Sequence, residues 1–168
     1  MNQLMEALKQ IHEKTWEALP AFSDVGETGE TRDVSEPKNL AMKVGTFTQT
    51  SPAQLQAAFD RAAAAAFSWA ATPVEVRAAC LDKTADLFEH HQTEFISLAI
   101  REGGKTLPDA IAELREAVDF CRYYAAESLN HFSSQPLQGP TGEKNELSLR
   151  GRGVFACMSP WNFPMAIF

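Results

Sequence analysis

The sequence predicts a helix-rich α/β fold that contains a β-hairpin and the first strand of an incomplete Rossmann-like domain. Three observations carry this. Helix-start signals recur through the first two thirds of the chain. Period-two alternation replaces them at Asn145-Glu146-Leu147-Ser148-Leu149-Arg150. A continuous apolar run, Gly153-Val154-Phe155-Ala156-Cys157-Met158, is then broken by the proline-rich Ser159–Pro164.

In chain order, Leu4, Leu8, Ile11 and Thr15 share one helical face, which predicts a helix over about 2–18. Residues 20–38 contain Gly26, Gly29, Pro37 and several acids without a period, and read as an exposed connector. Leu40–Phe47 holds a short strand, because Val44, Thr46 and Phe47 favour extended backbone. Ser51-Pro52-Ala53-Gln54 has a capping hydroxyl, a first-turn proline and an amide at the third helical position; Thr72-Pro73-Val74-Glu75 repeats the arrangement. The first of these opens a helix to about Ala70 that should bury Leu55, Phe59, Ala62, Ala66 and Trp69. The second runs to about His91 and should bury Val76, Cys80, Leu87 and Phe88, with His90-His91 complementing the terminal carbonyls.

A third helix from about Glu94 presents Phe95, Leu98 and Ala99 and stops at Gly103-Gly104. Thr106 then caps a fourth, in which Ile111, Leu114, Val118, Cys121 and Ala125 follow at spacings of three and four. Roughly half of the chain is thus helical, above the usual third. Residues 145–150 read as a half-exposed strand and 153–158 as one buried on both faces. After the Ser159–Pro164 turn, Met165-Ala166-Ile167-Phe168 resumes an apolar segment, so the pattern breaks off inside a unit.

Composition narrows the function classes. The 168 residues carry 15 Lys and Arg against 22 Asp and Glu, a net charge of −7, with a pI near 5.1. Nucleic-acid binding needs clustered positive charge, which this balance disfavours. No apolar run approaches the roughly 20 residues of a membrane span, and the N-terminus lacks a signal-peptide pattern. A cytoplasmic protein is expected. Cys80, Cys121 and Cys157 are odd in number and lack C-x-x-C spacing, so small buried hydrophobes are expected at all three. His12, His90, His91 and His131 have no metal-ligand spacing, and no metal site is expected.

The chemistry-bearing segment is Ser159–Pro164. Ligands of open α/β sheets bind where strands end and the chain turns away. Asn162 offers two uncharged N–H donors there, suited to stabilising a developing oxyanion. Alternatively, it bonds its own turn while Trp161 and Phe163 pack inward.

Met158-Ser159-Pro160-Trp161-Asn162-Phe163-Pro164 closely resembles the P-W-N-F-P segment of the NAD(P)-dependent aldehyde dehydrogenase superfamily. Supporting matches are Val44-Gly45-Thr46, Ala63 to Trp69 with Thr72 and Arg77, Glu102–Thr106, and Asp119-Phe120-Cys121-Arg122-Tyr123-Tyr124-Ala125. Within the superfamily, Arg101–Glu113, Asn145-Glu146-Leu147 and Gly151-Arg152-Gly153-Val154 most resemble the aldehyde dehydrogenase module of bifunctional proline utilization A proteins. The resemblance implies an N-terminal helix and linker over 1–33 and, over 34–168, the N-terminal part of that module. It would be truncated before most of the nucleotide-binding sheet and the whole catalytic domain.

It further implies oxidation of L-glutamate γ-semialdehyde to L-glutamate by NAD, through a thiohemiacetal on a cysteine that this chain lacks. FAD would belong only to a proline dehydrogenase domain upstream in the parent protein. The implied partners are a small-molecule aldehyde, the remainder of the parent chain and further copies of it; peripheral membrane association of the parent stays open. Asn162 matches the oxyanion-hole residue, Met158, Ser159, Pro160 and Trp161 the nicotinamide-ribose side of the cofactor site, and Phe163 a wall of the aldehyde tunnel. Glu113 matches a helix position that carries a carboxylate near the substrate amino group, and reads otherwise as a solvated helix charge. Glu36 stands where Asn is usual before Pro37, which predicts a minor surface change. Two other readings stay open: an aldehyde dehydrogenase of another substrate class, and a non-catalytic helical interaction module.

Overall fold

The computed structural model describes residues 2–22 and 24–167. The expected apolar segment 165–168 therefore lies partly outside the described residues, at Phe168. Five helices dominate: α1 (Asn2–Gln10), α2 (Pro52–Ala71), α3 (Val74–His90), α4 (Gln92–Arg101) and α5 (Leu107–His131). Strands β1 (Trp16–Ala18), β2 (Thr31–Glu36) and β3 (Asn39–Thr48) form one sheet in the order β1-β3-β2. Strands β4 (Gln135–Leu137) and β5 (Asn145–Leu147) form a hairpin, in which the strand expected over 145–150 ends at Leu147 and its partner 135–137 is not among the expected strands.

The sequence signals at helix ends translate directly into caps. Ser51 Oγ accepts from Gln54 N–H while Gln54 Oε1 accepts from Ser51 N–H, a reciprocal capping box. Thr106 caps α5 by accepting from Asp109 N–H. After α4, Gly104 takes a left-handed φ of +67° and Lys105 N–H returns to Ala99 O at 3.3 Å. At Thr72-Pro73 the expected cap is absent. Thr72 instead closes α2, its hydroxyl donating to Ser68 O, and Pro73 opens α3 without a side-chain bond.

Helix α1 ends at Gln10 rather than near residue 18, because Trp16–Ala18 leaves it to pair in parallel with Gly45–Phe47. A Cβ at Gly45 would collide with the Trp16 carbonyl oxygen, so this strand approach needs glycine. Gly45→Ala is expected to cost about 1–3 kcal/mol, the usual range for overpacking, read as a lower urea midpoint; an unchanged midpoint would contradict the constraint. The connector 20–38 is likewise not all loop. Residues 31–36 form β2, antiparallel to β3 with register shifts after Val34 and Ser35, and its polar residues are admitted by an exposed sheet edge.

The core lies among α1, α3, α4 and α5. Ile96, Ala99, Ala110 and Leu114 are buried, with Leu4, Leu8, Phe88, Phe95 and Ile111 packed around them. Helix α3 faces α5 through Ala78 and Ala85, and not through Val76, Cys80 and Leu87, which are exposed. Phe88, also expected inside, is half-buried against Phe95 with ring centroids 4.8 Å apart. Both stripes have helical period, and small alanines permit the closer approach of two long helices. On α5 the expected face is the observed one: Leu114, Val118, Cys121 and Ala125 are buried, and Ile111 is half-buried.

Helix α2 departs furthest from expectation. Leu55, Phe59, Ala62 and Trp69 are exposed and Ala66 is half-buried; only Gln54 is fully buried, its Nε2 donating to Phe22 O. Among the described residues no helix or strand packs extensively along α2, so its apolar stripe stays about half exposed. The run 153–158 is also exposed and makes no strand pairing, because a strand exists only through a neighbouring backbone. Among the described residues no helix is long and apolar enough to cross a membrane.

Of the three cysteines only Cys121 is buried; Cys80 and Cys157 are exposed. Burial pushes the Cys121 thiol above its ordinary value, partly opposed by Arg122. An aromatic disulfide reagent is expected to titrate two thiols quickly and the third only on unfolding. Three equally fast thiols would refute that order.

Candidate active site

The α4–α5 turn and the Ser159–Pro164 turn face each other across a cavity of about 340 Å³. Lys105, Asp109 and Glu113 line one side, and Trp161, Asn162 and Phe163 the other. Four residues singled out from sequence, Trp161, Asn162, Phe163 and Glu113, thus share one cavity although 49 positions separate Glu113 from Asn162.

Each wall has a local cause. Glycines 103 and 104 fold the first turn: a Cβ at Gly103 would lie 2.8 Å from Ala99 O, and Gly104 is left-handed. Pro108 in the first turn of α5 and the Thr106 cap fix where the helix starts, which sets Glu113 on its inward face. In the second wall, Phe163 N–H donates to Pro160 O at 3.3 Å and Ile167 N–H to Phe163 O at 3.2 Å. Asn162 is exposed and its side chain makes no hydrogen bond among the described residues, so both of its N–H donors stay available.

Glu113 is not a solvated helix charge. It is 1% exposed, and its Oε1 accepts the Met165 N–H at 2.9 Å. Its Oε2 lies 2.7 Å from Lys105 Nζ, a close ion pair without a directed hydrogen bond. The Lys105 ammonium also sits 4.2 Å from the Phe163 ring centroid, within cation–π range. Sequence reasoning gave Lys105 no role, although it lies in the Glu102–Thr106 turn; a lysine following two glycines does not by itself announce burial.

Met158 and Trp161 are largely exposed, and the backbone N–H groups of Met158, Ser159 and Trp161 have no acceptor among the described residues. Exposed, uncharged backbone donors of this kind fit the sugar and amide portion of a dinucleotide. Residues 153–167 contain no Lys or Arg, so this wall supplies no countercharge for a pyrophosphate. Among the described residues, no three His, Cys, Asp or Glu side chains cluster as a metal site.

A second polar centre lies behind the site. Glu36, expected at the surface, is 2% exposed. Its Oε1 accepts from Arg101 Nε at 2.8 Å, while the Arg101 terminal nitrogens donate to Lys14 O at 2.5 Å and Lys43 O at 3.0 Å. The Arg101 hydrogen bond holds the Glu36 carboxyl below its usual range against the opposing effect of burial, with Lys38 assisting. Nothing in the Ser35-Glu36-Pro37 spacing marked this, because both partners become buried only when β2, β3 and α4 meet.

Comparisons with known proteins identify the family. The model of the aldehyde dehydrogenase family matches residues 25–168. The bifunctional protein PutA of Escherichia coli is 36% identical over 168 residues, which cover 100% of this chain and 12% of that protein. A 1-pyrroline-5-carboxylate dehydrogenase of Bacillus pumilus is 32% identical over 165 residues, covering 96% of this chain and 32% of its own length. A crystal structure of proline utilization A from Bdellovibrio bacteriovorus superposes with a TM-score of 0.88 at 28% identity, over 98% of this chain and 18% of that one. The chain therefore spans about an eighth of the PutA relative and a third of the dehydrogenase.

Proposed function

Because the chain belongs to the aldehyde dehydrogenase family, we propose that it is part of an NAD-dependent enzyme oxidising L-glutamate γ-semialdehyde to L-glutamate. The observation that carries this reading is the convergence of Asn162, Phe163 and Glu113 on one cavity. Similarity to PutA and 1-pyrroline-5-carboxylate dehydrogenases supports the choice of substrate. Residues 34–168 are the N-terminal part of the module, preceded by a helix and linker over 1–33. The half-exposed apolar stripe of α2 and the exposed run 153–158 support a piece of a larger unit, since an apolar patch of this kind marks a surface that another element covers.

In that enzyme the Asn162 amide donates to the aldehyde oxygen and holds it as negative charge develops during attack on the carbonyl carbon. Phe163 excludes water from the approach, and Glu113, held by Lys105 and the Met165 amide, puts its carboxylate behind the wall that faces the amino end of the substrate. Met158, Ser159, Pro160 and Trp161 line the cofactor side through backbone. NAD, when bound, supplies the hydride acceptor. FAD chemistry belongs to an upstream proline dehydrogenase domain of the parent, which acts as a homo-oligomer.

The 168-residue chain by itself is expected to be inactive. Purified chain mixed with NAD and the semialdehyde should form no NADH above background; turnover by the chain would overturn the fragment reading. Competing aldehydes assayed on the complete enzyme decide the substrate class.

A further inference from the structure

We propose that Lys105 is a positioning residue: with Glu113 it forms a buried latch that holds the Asn162 turn in place. This rests on the functional reading above and adds a part that the reading did not assign. The latch joins two segments that the chain order leaves far apart. Glu113, fixed on α5, reaches across with Oε1 to the Met165 N–H, three residues beyond Asn162. That amide ties the end of the turn, and Phe163 N–H to Pro160 O closes its middle. Asn162 lies within that closed turn and makes no side-chain hydrogen bond among the described residues, so it is free to face a ligand.

A buried carboxylate holds this position only if its charge is compensated. Among the described residues Lys105 supplies that charge. Its side chain is 12% exposed and that of Glu113 is wholly buried, with 2.7 Å between Nζ and Oε2. The same ammonium lies against the Phe163 ring, so one cation touches both the clamp and the residue next to Asn162. Gly104 lets the chain turn back so that Lys105 points into the cavity. Without the cation, the buried Glu113 carboxylate loses its countercharge and turns toward water. The displaced carboxylate no longer holds the Met165 amide, and the Asn162 donors lose their fixed aim. A misplacement of about 1 Å is enough to cost on the order of 10²-fold in rate.

The test uses the complete enzyme, assayed with NAD and two aldehydes: glutamate γ-semialdehyde, and propanal, which lacks both amino and carboxylate groups. Lys105→Met is expected to lower kcat at least tenfold for both, with each KM within twofold of wild type. Lys105→Arg, which keeps the charge, should retain more than a third of wild-type kcat. A loss confined to KM or to the amino-bearing substrate would mean direct substrate contact and would overturn the latch. So would kcat for Lys105→Met within twofold of wild type, or an arginine variant as impaired as the methionine one. If Lys105→Met does not fold, hydrogen exchange in the wild-type enzyme without NAD decides. The Met165 amide should exchange at least tenfold more slowly than the Trp161 amide, and equal rates would overturn the proposal. A wild-type enzyme inactive on the semialdehyde would instead sink the functional reading.

Discussion

Asn162→Ala in the complete enzyme is expected to lower kcat by more than tenfold while leaving KM for the aldehyde little changed. Loss of one preorganised oxyanion donor typically costs about 3–4 kcal/mol of transition-state stabilisation. The structure supplies the conditions for an effect of that size. The amide is exposed at the cavity and unpaired, while the residues around it are tied by Phe163 to Pro160 and by Met165 to Glu113. A donor held in this way is already oriented before charge develops, so the interaction is stronger in the transition state than in the ground state. A variant with kcat within threefold of wild type would remove Asn162 from the catalytic role.

Arg101→Ala is expected to destabilise the chain by about 3–5 kcal/mol, the usual cost of breaking a buried ion pair by removing one partner. The substitution leaves the Glu36 carboxylate buried without its strongest donor and deprives the Lys14 and Lys43 carbonyls of theirs. Those four residues join the α1–β1 connection, β2, β3 and the end of α4, so the loss is felt across the sheet–helix junction. Urea unfolding at pH 7 provides the measurement, and a change below 1 kcal/mol would show that the centre is dispensable. The pair also sets a pH dependence. Glu36 has a lowered pKa in the folded state, so the unfolded chain binds the proton more readily. Its stabilisation is complete above the ordinary carboxylate range and is lost as pH falls through the folded value. Glu36→Gln should flatten the acid limb of the stability curve, and an unchanged limb would assign that dependence elsewhere.

Some of the architecture is written in short stretches of chain. A capping hydroxyl three residues before an amide acceptor acts locally, so Ser51-Pro52-Ala53-Gln54 specifies its box wherever the helix packs. The same holds for Thr106 and for the left-handed Gly104. Helix α5 was legible along its whole length because its apolar stripe is narrow and its spacing regular. Helices α2 and α3 show the limit. Periodicity marks a stripe, but the neighbour decides which stripe is buried. Ala78 and Ala85 displaced Val76 and Leu87 on α3, and among the described residues no helix or strand packs extensively along Leu55, Phe59 and Trp69 on α2. Strands β1 and β2 were missed because three to six polar or mixed residues take strand form only when β3 lies alongside.

The sequence by itself determined the helix-rich α/β class, the capped starts of α2 and α5, the glycine stop after α4, and the identity of the turn that carries Asn162. These depend on contacts within a few residues, or on a motif that is continuous in the chain. Only the tertiary structure decided that Glu113 is buried and ion-paired, that Lys105 is its partner, and that Glu36 and Arg101 form an interior charge pair. Glu36 and Arg101 come from distant segments, and Lys105 and Glu113 from a turn and the helix after it. Each pair meets in a low-dielectric space, where a charge persists only with compensation. No periodicity in the chain encodes which group provides it.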